Sequence, residues 1–380
     1  MKAVVLAAGT GQRFRPLTET RPKPMLPIGN KILLEHVIGA LKTADVREIV
    51  IVVGYQSEHI QNHFGNGDEC DIEYVTQERP LGTGDALLQA EHVIADDFLL
   101  VNGDRVVDTE LLTRLQQAQQ TVDGNHIAVT RVDDPTQYGM VEIDDNRITN
   151  LVEKPNKYAV TSQIVNLGVY ALSPDIFAAI RQTNTHGELA LTTVLSEHLD
   201  DQVLTPVHYD GLWFELTRPW DLLTANQDLL QTRGGTRDPS AVVHDDATVI
   251  EPSAIGPDAR IDPGARILRN TTLGANVAVG ANAVIENAVV LEGTSIGPGA
   301  VVRDAIVGAN ATLGPNVTIE GGHGDVIVDE TLYTDVRFGG LVGDDATISG
   351  SATVSPGTIL ANETTVATGT SVSGTFPNSD

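Results

Sequence analysis

Positive charge is scarce in this chain of 380 residues: 24 lysines and arginines face 51 aspartates and glutamates, a formal net charge of −27. Six of the 24 are lysines, and none follows Lys157. Such a balance excludes sequence-independent nucleic-acid binding, which needs clustered cations to displace counterions. It equally excludes docking on anionic membranes. Aromatic residues, at 4%, are too few for reading single strands by base stacking. The single cysteine, Cys70, leaves no intramolecular disulfide and no multi-cysteine metal site. No stretch approaches the ~20 apolar residues of a membrane-spanning helix. The opening MKAVVLAAG is too short for a signal-peptide core and runs into Arg13 and Arg15. A soluble, cytoplasmic protein is expected, with neither nucleic-acid nor membrane partners. The ten histidines show no ligand pairing on one helix face, and none is assigned a role.

What is present is acid, scattered rather than blocked, and a hydrophobic share of 41% that recurs periodically. The periodicity excludes a disordered chain. The scattered acids suit a high-salt cytoplasm, where molar ionic strength screens self-repulsion. The length exceeds what one core usually supports, so at least two domains are expected.

Two patterns divide the chain. Up to residue 231, short β-branched runs at 3–7, 48–53, 72–76 and 98–101 alternate with helical patterns near 31–44, 56–64, 83–95 and 109–120. That alternation predicts βαβ units and a Rossmann-like, doubly wound, mostly parallel sheet. Further strands are expected near 126–132, 139–143, 147–153, 164–171, 203–209 and 212–216, and helices near 174–182, 189–200 and 219–231. From residue 242 the period becomes six: Val243, Val249, Ile255, Ile261, Ile267, Leu273, Val279, Ile285 and Leu291 follow without a miss. The register slips by one at Ile296 and again at Val307, an excursion covers 320–341, and Val342, Ile348, Val354, Leu360, Val366 and Val372 resume it. Six fits neither an α-helix nor a heptad; it is the hexapeptide signature of a parallel β-helix. The expected layout is an α/β domain over 1–231, a linker over 232–241, the β-helix over 242–374 and a tail over 375–380.

The densest chemistry lies at 6–29, LAAGTGQRFRPLTETRPKPMLPIG, where the first strand ends. Ligands of doubly wound sheets bind at carboxyl ends of strands. Gly9 and Gly11 there let backbone N–H groups approach phosphate oxygens. Arg13 and Arg15 bring forked donors, and Pro22 and Pro24 stiffen the backbone around Lys23. The glycine spacing matches neither the dinucleotide fingerprint nor a Walker A loop. Asp104, closing the run VNGD, is a carboxylate of the kind Mg²⁺ accepts alongside substrate phosphates.

The segment LAAGxGxRxRPLTxxxPKPMLPI closely resembles the signature of sugar nucleotidyltransferases, which form NDP-sugars from an NTP and a sugar 1-phosphate. The resemblance covers essentially all of 1–231, with Gln12 where the family usually has Thr or Ser. It implies that Leu6, Ala8, Gly9 and Gly11 hold the nucleotide, that Arg13 steadies its triphosphate, and that Lys23 neutralises the attacking phosphate. Gln77, ahead of Leu81-Gly82-Thr83-Gly84, resembles the base-reading segment of uridylyl and thymidylyl transferases. A side-chain amide can pair with the imide edge of uracil or thymine. Related guanylyltransferases tend to carry Glu there. Gly82 and Thr83 belong to the same nucleotide segment. The segments around Gly139, Glu153-Lys154 and Asn166 resemble the sugar pocket: Lys154 would grip the sugar phosphate, and Glu153 and Asn166 the sugar. Glu188, in a Gly-Glu pair, is a further sugar-side candidate. By resemblance Asp104 is a metal ligand, with Arg105 after it where the family commonly has Asn or an aliphatic residue. The second metal carboxylate falls on Glu215, in Trp213-Phe214-Glu215-Leu216-Thr217 where the family has W-x-D-x-G.

The implied reaction is a Mg²⁺-dependent transfer without a covalent intermediate, UTP or dTTP being the donor and glucose 1-phosphate or N-acetylglucosamine 1-phosphate the acceptor. The hexapeptide tail resembles the left-handed β-helix of hexapeptide acyltransferases, and the combination resembles archaeal and bacterial bifunctional uridylyltransferase/acetyltransferase proteins. The stretch 288–296 resembles that preceding the acetyltransferase histidine, yet Gly297-Pro298-Gly299 follow. Oligomerisation or allosteric scaffolding is therefore expected of the coil ahead of acetyl transfer, with side-by-side trimers as the implied assembly. Other readings are a mannose-1-phosphate guanylyltransferase, against which Gln77 counts, and a non-catalytic regulatory paralogue.

Overall fold

The computed structural model describes residues 1–67, 69–184, 187–200 and 203–376. Residues 377–380, most of the expected tail, lie outside the described residues; Thr375–Phe376 form a last strand beside Ile359–Leu360. Two compact units emerge, and neither is contiguous in sequence. One comprises Met1–Thr10 and Leu33–Phe214, the other Gly11–Ile32 and Glu215–Asp380.

The first unit is built on a nine-stranded sheet. Its parallel half is the β-branched runs: Lys2–Ala7 lies between Glu48–Val53 and Phe98–Asn102, and Asp71–Thr76 pairs with Glu48–Val53. Val4, Val5, Val50, Ile51, Val52, Leu99 and Leu100 are all buried, as central strands covered on both faces require. The other half mixes antiparallel and parallel pairings. Ile164–Leu172 runs antiparallel to Phe98–Asn102, to Asn125–Arg131 and to Gly139–Asp144, and Arg147–Glu153 closes a hairpin with the last of these. A short connection such as Asp145-Asn146, both at positive φ, permits only an antiparallel return, whereas Leu204–His208, reached through helices, again lies parallel to Asn125–Arg131.

The second unit is a left-handed parallel β-helix with added pieces. Three parallel sheets of eight, seven and seven short strands form its faces. Ile255 stacks on Leu273, Ile261 on Val279 and Ile267 on Ile285, eighteen residues apart. The interior is a column of such residues interleaved with small ones: Ala259, Ala265, Ala283, Ala300 and Ala311 are wholly buried beside Ile261, Ile267 and Ile285. One detail of the sequence register changes. Leu273 stacks on Val290 rather than Leu291, so the lost residue lies before 290 and the coil shortens to seventeen. The 320–341 excursion is an antiparallel hairpin, His323–Val328 with Thr331–Arg337, after which Val342 stacks on Val307 and the coil continues.

Residues 232–241, expected as a linker, are not free-standing. The helix Pro219–Arg233 runs through the first two, and Thr236–Arg237 pairs with Ala254–Ile255 at the edge of the coil. The segment 11–32 also belongs here, through Asn226. Its buried amide accepts from Gly29 N (3.0 Å) and Thr272 Oγ1 (2.7 Å) and donates to the Asn270 carbonyl (2.9 Å). One side chain ties the loop, the helix and the coil. Among the described residues no helix is long and apolar enough to cross a membrane.

Candidate active site

In the sheet unit the candidate nucleotide residues gather at the carboxyl ends of neighbouring parallel strands. Leu6 pairs with Val52 on one side and Asn102 on the other, and Gly103 N donates to the Leu6 carbonyl. The backbones are flush there: a Cβ at Gly54 would lie 2.7 Å from the Ala8 carbonyl oxygen, and one at Gly103 2.7 Å from that of Leu6. Leu6 and Ala8 are buried, Gly9 is exposed, and a Cβ at Gly9 would meet nothing within 4 Å. This is a floor of backbone with open space above it, as close approach of a phosphate requires.

Gln77 follows Asp71–Thr76, the strand next but one to Lys2–Ala7, and is buried. Its Nε2 donates to the Gly82 carbonyl (3.1 Å) and to Asp85 Oδ2 (2.7 Å). Both amide hydrogens are thereby spoken for, and the group Gln77 can offer is its Oε1 acceptor. Asp85 was not singled out in the sequence. It sits in the first turn of the helix Thr83–Gln89 and fixes the flip of an amide eight residues before it. Gly82 holds φ +100°, and a Cβ there would fall 2.5 Å from the Leu189 carbonyl oxygen, so only glycine fits. The loop is zipped to 189–191: Leu189 N donates to Leu81 O, Gly84 N to Leu189 O, and Leu191 N to Thr83 Oγ1. Thr83 thus caps a backbone N–H, and the exposed Glu188 adjoins this loop through Leu189.

The sugar-side candidates converge through strand register. Gly139 pairs with Glu153, and a Cβ at Gly139 would lie 3.1 Å from Glu153 Oε2, 3.6 Å from Asn166 Cβ and 3.7 Å from Thr192 Cγ2. Glu153 and Lys154 are exposed; Lys154 has φ +44°, and its N–H donates to the Tyr138 carbonyl at 3.0 Å. Asn166 is buried and engaged at both ends, accepting from Gly168 N (2.7 Å) and donating to Tyr170 Oη (2.6 Å). It shapes the bulge at Gly168 within the strand Ile164–Leu172. Tyr138 and Trp213, whose ring centroids are 5.5 Å apart, add an aromatic wall, with Trp213 Nε1 donating to Leu167 O.

Asp104, half-buried, lies after the strand Phe98–Asn102, with the Arg105 Nε 3.7 Å from its Oδ1. Arg105 is buried and places its guanidinium 5.4 Å from the Trp213 ring centre. The unusual arginine after the strand-end aspartate therefore links that aspartate to the aromatic wall. Among the described residues no group of three or more His, Cys, Asp and Glu side chains gathers as a metal cage.

The remaining candidates, Gly11, Arg13, Lys23 and Glu215, belong to the coil unit. Gly11 holds φ +64°, and its Cβ would fall 2.9 Å from Lys23 Cβ and 3.1 Å from Thr18 Cγ2. The Gly11 carbonyl accepts from Phe14 N and Thr18 Oγ1, curling the loop so that Lys23 passes beside Gly11. Lys23 Nζ stands 5.6 Å from the Phe14 ring centre, while Arg13 is exposed, 3.7 Å from Asp329 at the tip of the hairpin. Asp221 accepts from the N–H groups of Thr217 and Arg218, fixing the turn after Glu215. Burial holds the Asp221 carboxyl above its ordinary range, opposed by those N–H groups and by Arg218 and Lys23.

A mixed α/β sheet with glycine-flanked strand ends, set before a hexapeptide coil, defines the class: a Rossmann-like, nucleotide-handling transferase fold carrying a solenoid. The chain belongs to the nucleotidyl transferase family, whose model matches residues 2–232, and a second model, the GMPPB C-terminal domain, matches 249–376. Among curated relatives, the bifunctional protein GlmU of Methanococcus maripaludis is 38% identical over 233 residues, 60% of this chain and 54% of that one. The chain thus spans about half the length of the GlmU relatives it matches. The low-salt glycan biosynthesis nucleotidyltransferase Agl11 of Haloferax volcanii is 34% identical over 257 residues, 66% of this chain and 71% of that one. Among solved structures, a Bacillus anthracis protein described as a glucose-1-phosphate thymidylyltransferase aligns with TM-score 0.56 and 26% identity, over 60% of this chain and 94% of its own. A UDP-glucose pyrophosphorylase complexed with UDP-glucose shares the fold at TM-score 0.57 and 24% identity, over 61% and 99%.

Proposed function

We propose that this protein transfers a uridylyl or thymidylyl group from UTP or dTTP to a sugar 1-phosphate, glucose 1-phosphate or N-acetylglucosamine 1-phosphate, releasing pyrophosphate. The observation that carries the reading is the backbone floor at Leu6, Ala8 and Gly9 beside the fixed Gln77 and the strand-end Asp104. The names of the relatives point the same way. A sugar-phosphate oxygen attacks the α-phosphorus and pyrophosphate leaves in line; such transfers depend mostly on positioning and charge stabilisation. Gly9 and Gly11 supply backbone N–H groups, Arg13 steadies the triphosphate, and Lys23 and Lys154 neutralise the incoming phosphate. Glu153 holds sugar hydroxyls in the cradle that Gly139 leaves open, beside the aromatic wall.

Family members generally use a divalent metal, and we take it to be Mg²⁺. Such an ion takes one or two carboxylates and completes its shell with phosphate oxygens and water. Asp104 would hold it, with Glu215 as the second carboxylate; when bound it supplies charge stabilisation to the reacting phosphates. Gln77 offers its Oε1 to the N3–H of uracil or thymine, and Asp85 keeps the amide turned that way. Guanine also presents a ring N–H, and the coil's match to the GMPPB C-terminal domain keeps GTP in view. The coil is assigned scaffolding, with a homo-oligomer, a trimer through the coil, as the expected assembly.

The test is pyrophosphate release by purified protein in molar KCl over a matrix of UTP, dTTP, GTP, ATP and CTP with several sugar 1-phosphates. Product from UTP or dTTP supports the reading. Product confined to GTP moves it to guanylyl transfer, and no product from any pair leaves the regulatory paralogue. Asp85→Ala is expected to weaken base discrimination by roughly ten-fold, the scale of one hydrogen bond to a charged group.

A further inference from the structure

The loop 11–32 has no long ladder of its own. Three single 3₁₀ turns, at Gln12–Phe14, Leu17–Glu19 and Lys23–Met25, and one two-residue strand pair carry it. A segment so short of internal hydrogen bonds must be held from outside if its phosphate-gripping groups are to keep one arrangement. The holding side chains come from the β-helix. Asp344, at the corner after Val342, accepts from Arg21 Nη2 at 2.7 Å, from Thr20 Oγ1 and from its own neighbour rung at Ala309 N, 2.7 Å. Asn362, one coil further, accepts from Asp344 N (2.8 Å) and donates to the Pro16 carbonyl and Glu19 Oε2, both 3.1 Å. The side chains of Asp344 and Arg21 are only 3% and 14% exposed.

We propose that Asp344 and Asn362 of the β-helix are positioning residues for nucleotidyl transfer, fixing the phosphate loop through Arg21, Thr20 and Pro16. The inference rests on the function proposed above and gives the coil a part in it. Arg21 stands in the cation-rich signature, and its guanidinium is committed to the buried carboxylate of Asp344, with Glu292 Oε1 at 3.5 Å on its outer side. A buried carboxylate with three donors is a rigid joint, because withdrawing any donor leaves charge or a lone pair stranded. By contrast the contact of Arg13 with Asp329 is 3.7 Å between groups that are 44% and 50% exposed, a pairing that molar salt screens. The loop therefore has deep anchors at residues 16–21 and, through Asn226, at Gly29, and a loose contact at Arg13. Arg13 stays available to an incoming triphosphate while the backbone around it is already ordered. Ordering prepaid in the free protein is not charged against binding.

The experiment is steady-state kinetics on the full chain with Asp344→Asn, Arg21→Met, the double variant and Arg21→Lys, alongside thermal unfolding of each. Asp344→Asn keeps an acceptor for Ala309 N and removes the charge that faces Arg21. Each single variant is expected to raise KM for the nucleotide by roughly ten-fold, as a loop left to order on binding would. KM for the sugar phosphate should stay within about two-fold, the double variant should lose little beyond either single, and Arg21→Lys should recover part of the loss. These effects should persist in molar KCl, because the pair is buried. The inference is overturned by wild-type kinetics in Asp344→Asn, by equal rises in both KM values, or by losses in the two singles that multiply in the double. Should Asp344→Asn fail to fold, Asn362→Ala gives the same reading through the Pro16 carbonyl. Inactive wild-type protein counts against the proposed function; active wild type with unmoved variants counts against this inference alone.

Discussion

The sheet unit and the coil unit use the same kinds of residue for opposite ends. In the coil, polar residues turn corners: Asn270, Asn276, Asn282, Asn310 and Asn316 all sit at positive φ, where their short side chains are tolerated, and the repeat makes each the copy of the last. In the sheet unit polar residues are singular. Gln77, Asp104, Glu153 and Asn166 each follow or line a different strand, and no period relates them. Repetition marks what holds the chain together, and its interruption marks chemistry. The 11–32 loop is the exception that joins the two themes, being irregular itself yet clamped by Asn226, Asp344 and Asn362 of the coil unit.

That contrast can be broken from either side. The largest effect is expected from Lys154→Ala and Lys23→Ala, which should each cut kcat/KM by roughly a thousand-fold, the scale of losing a charged group that stabilises a transition state. The unfolding midpoint of Lys154→Ala should stay near wild type, since Lys154 is exposed. Ile267→Ala is the mirror experiment: Ile267 is wholly buried in the coil's column, so stability should fall by about 2–5 kcal/mol, read by denaturant unfolding, with kcat/KM at 25 °C unchanged. A variant set in which coil substitutions silence the enzyme and lysine substitutions do not would erase the distinction. Gly11→Ala sharpens it, because its φ of +64° and the 2.9 Å approach to Lys23 Cβ should cost about 1–3 kcal/mol locally. That should appear as weaker nucleotide binding by calorimetry.

The smallest effect is a pH dependence in the sheet unit. His126 is wholly buried, with Nδ1 3.0 Å from Gln119 Oε1, and burial holds its pKa below the ordinary value of 6.5, opposed by the Gly124 backbone and Asp97. A base with a depressed folded pKa leaves the unfolded chain holding the extra proton as pH falls. Stability contributed by neutral His126 is therefore complete above the unfolded pKa near 6.5 and declines as pH drops below it. Unfolding monitored from pH 7.5 to 5 should show that decline, and His126→Gln should flatten it.

Much of this was written in the sequence, though unevenly. The parallel strands were legible because buried central strands are continuous β-branched runs, and the coil because six is a period that no other regular structure has. The glycine and cation cluster was legible because so acidic a chain makes each retained cation conspicuous. The antiparallel pairings of the sheet were not, since Ile164–Leu172 reads alike whichever way its neighbours run. Val290 replaced Leu291 because two adjacent apolar residues let the period slip without a trace. The joint between Arg21 and Asp344 spans 323 residues, and no local pattern announces a partner at that distance. Asp85 lay closer, yet an acid in the first turn of a helix is ordinary, and only the folded distance to Gln77 sets it apart.

The central claim is that the cations kept by this acidic chain serve the meeting of two phosphates, with the sugar phosphate as direct attacker. Sugar 1-phosphate carrying ¹⁸O on its non-bridging phosphate oxygens, turned over with unlabelled UTP or dTTP, tests it by mass spectrometry of both products. The account predicts that the NDP-sugar retains all the label, one ¹⁸O now bridging the two phosphorus atoms, and that the pyrophosphate carries none. Label in the pyrophosphate, label lost to water, or no NDP-sugar at all would contradict it.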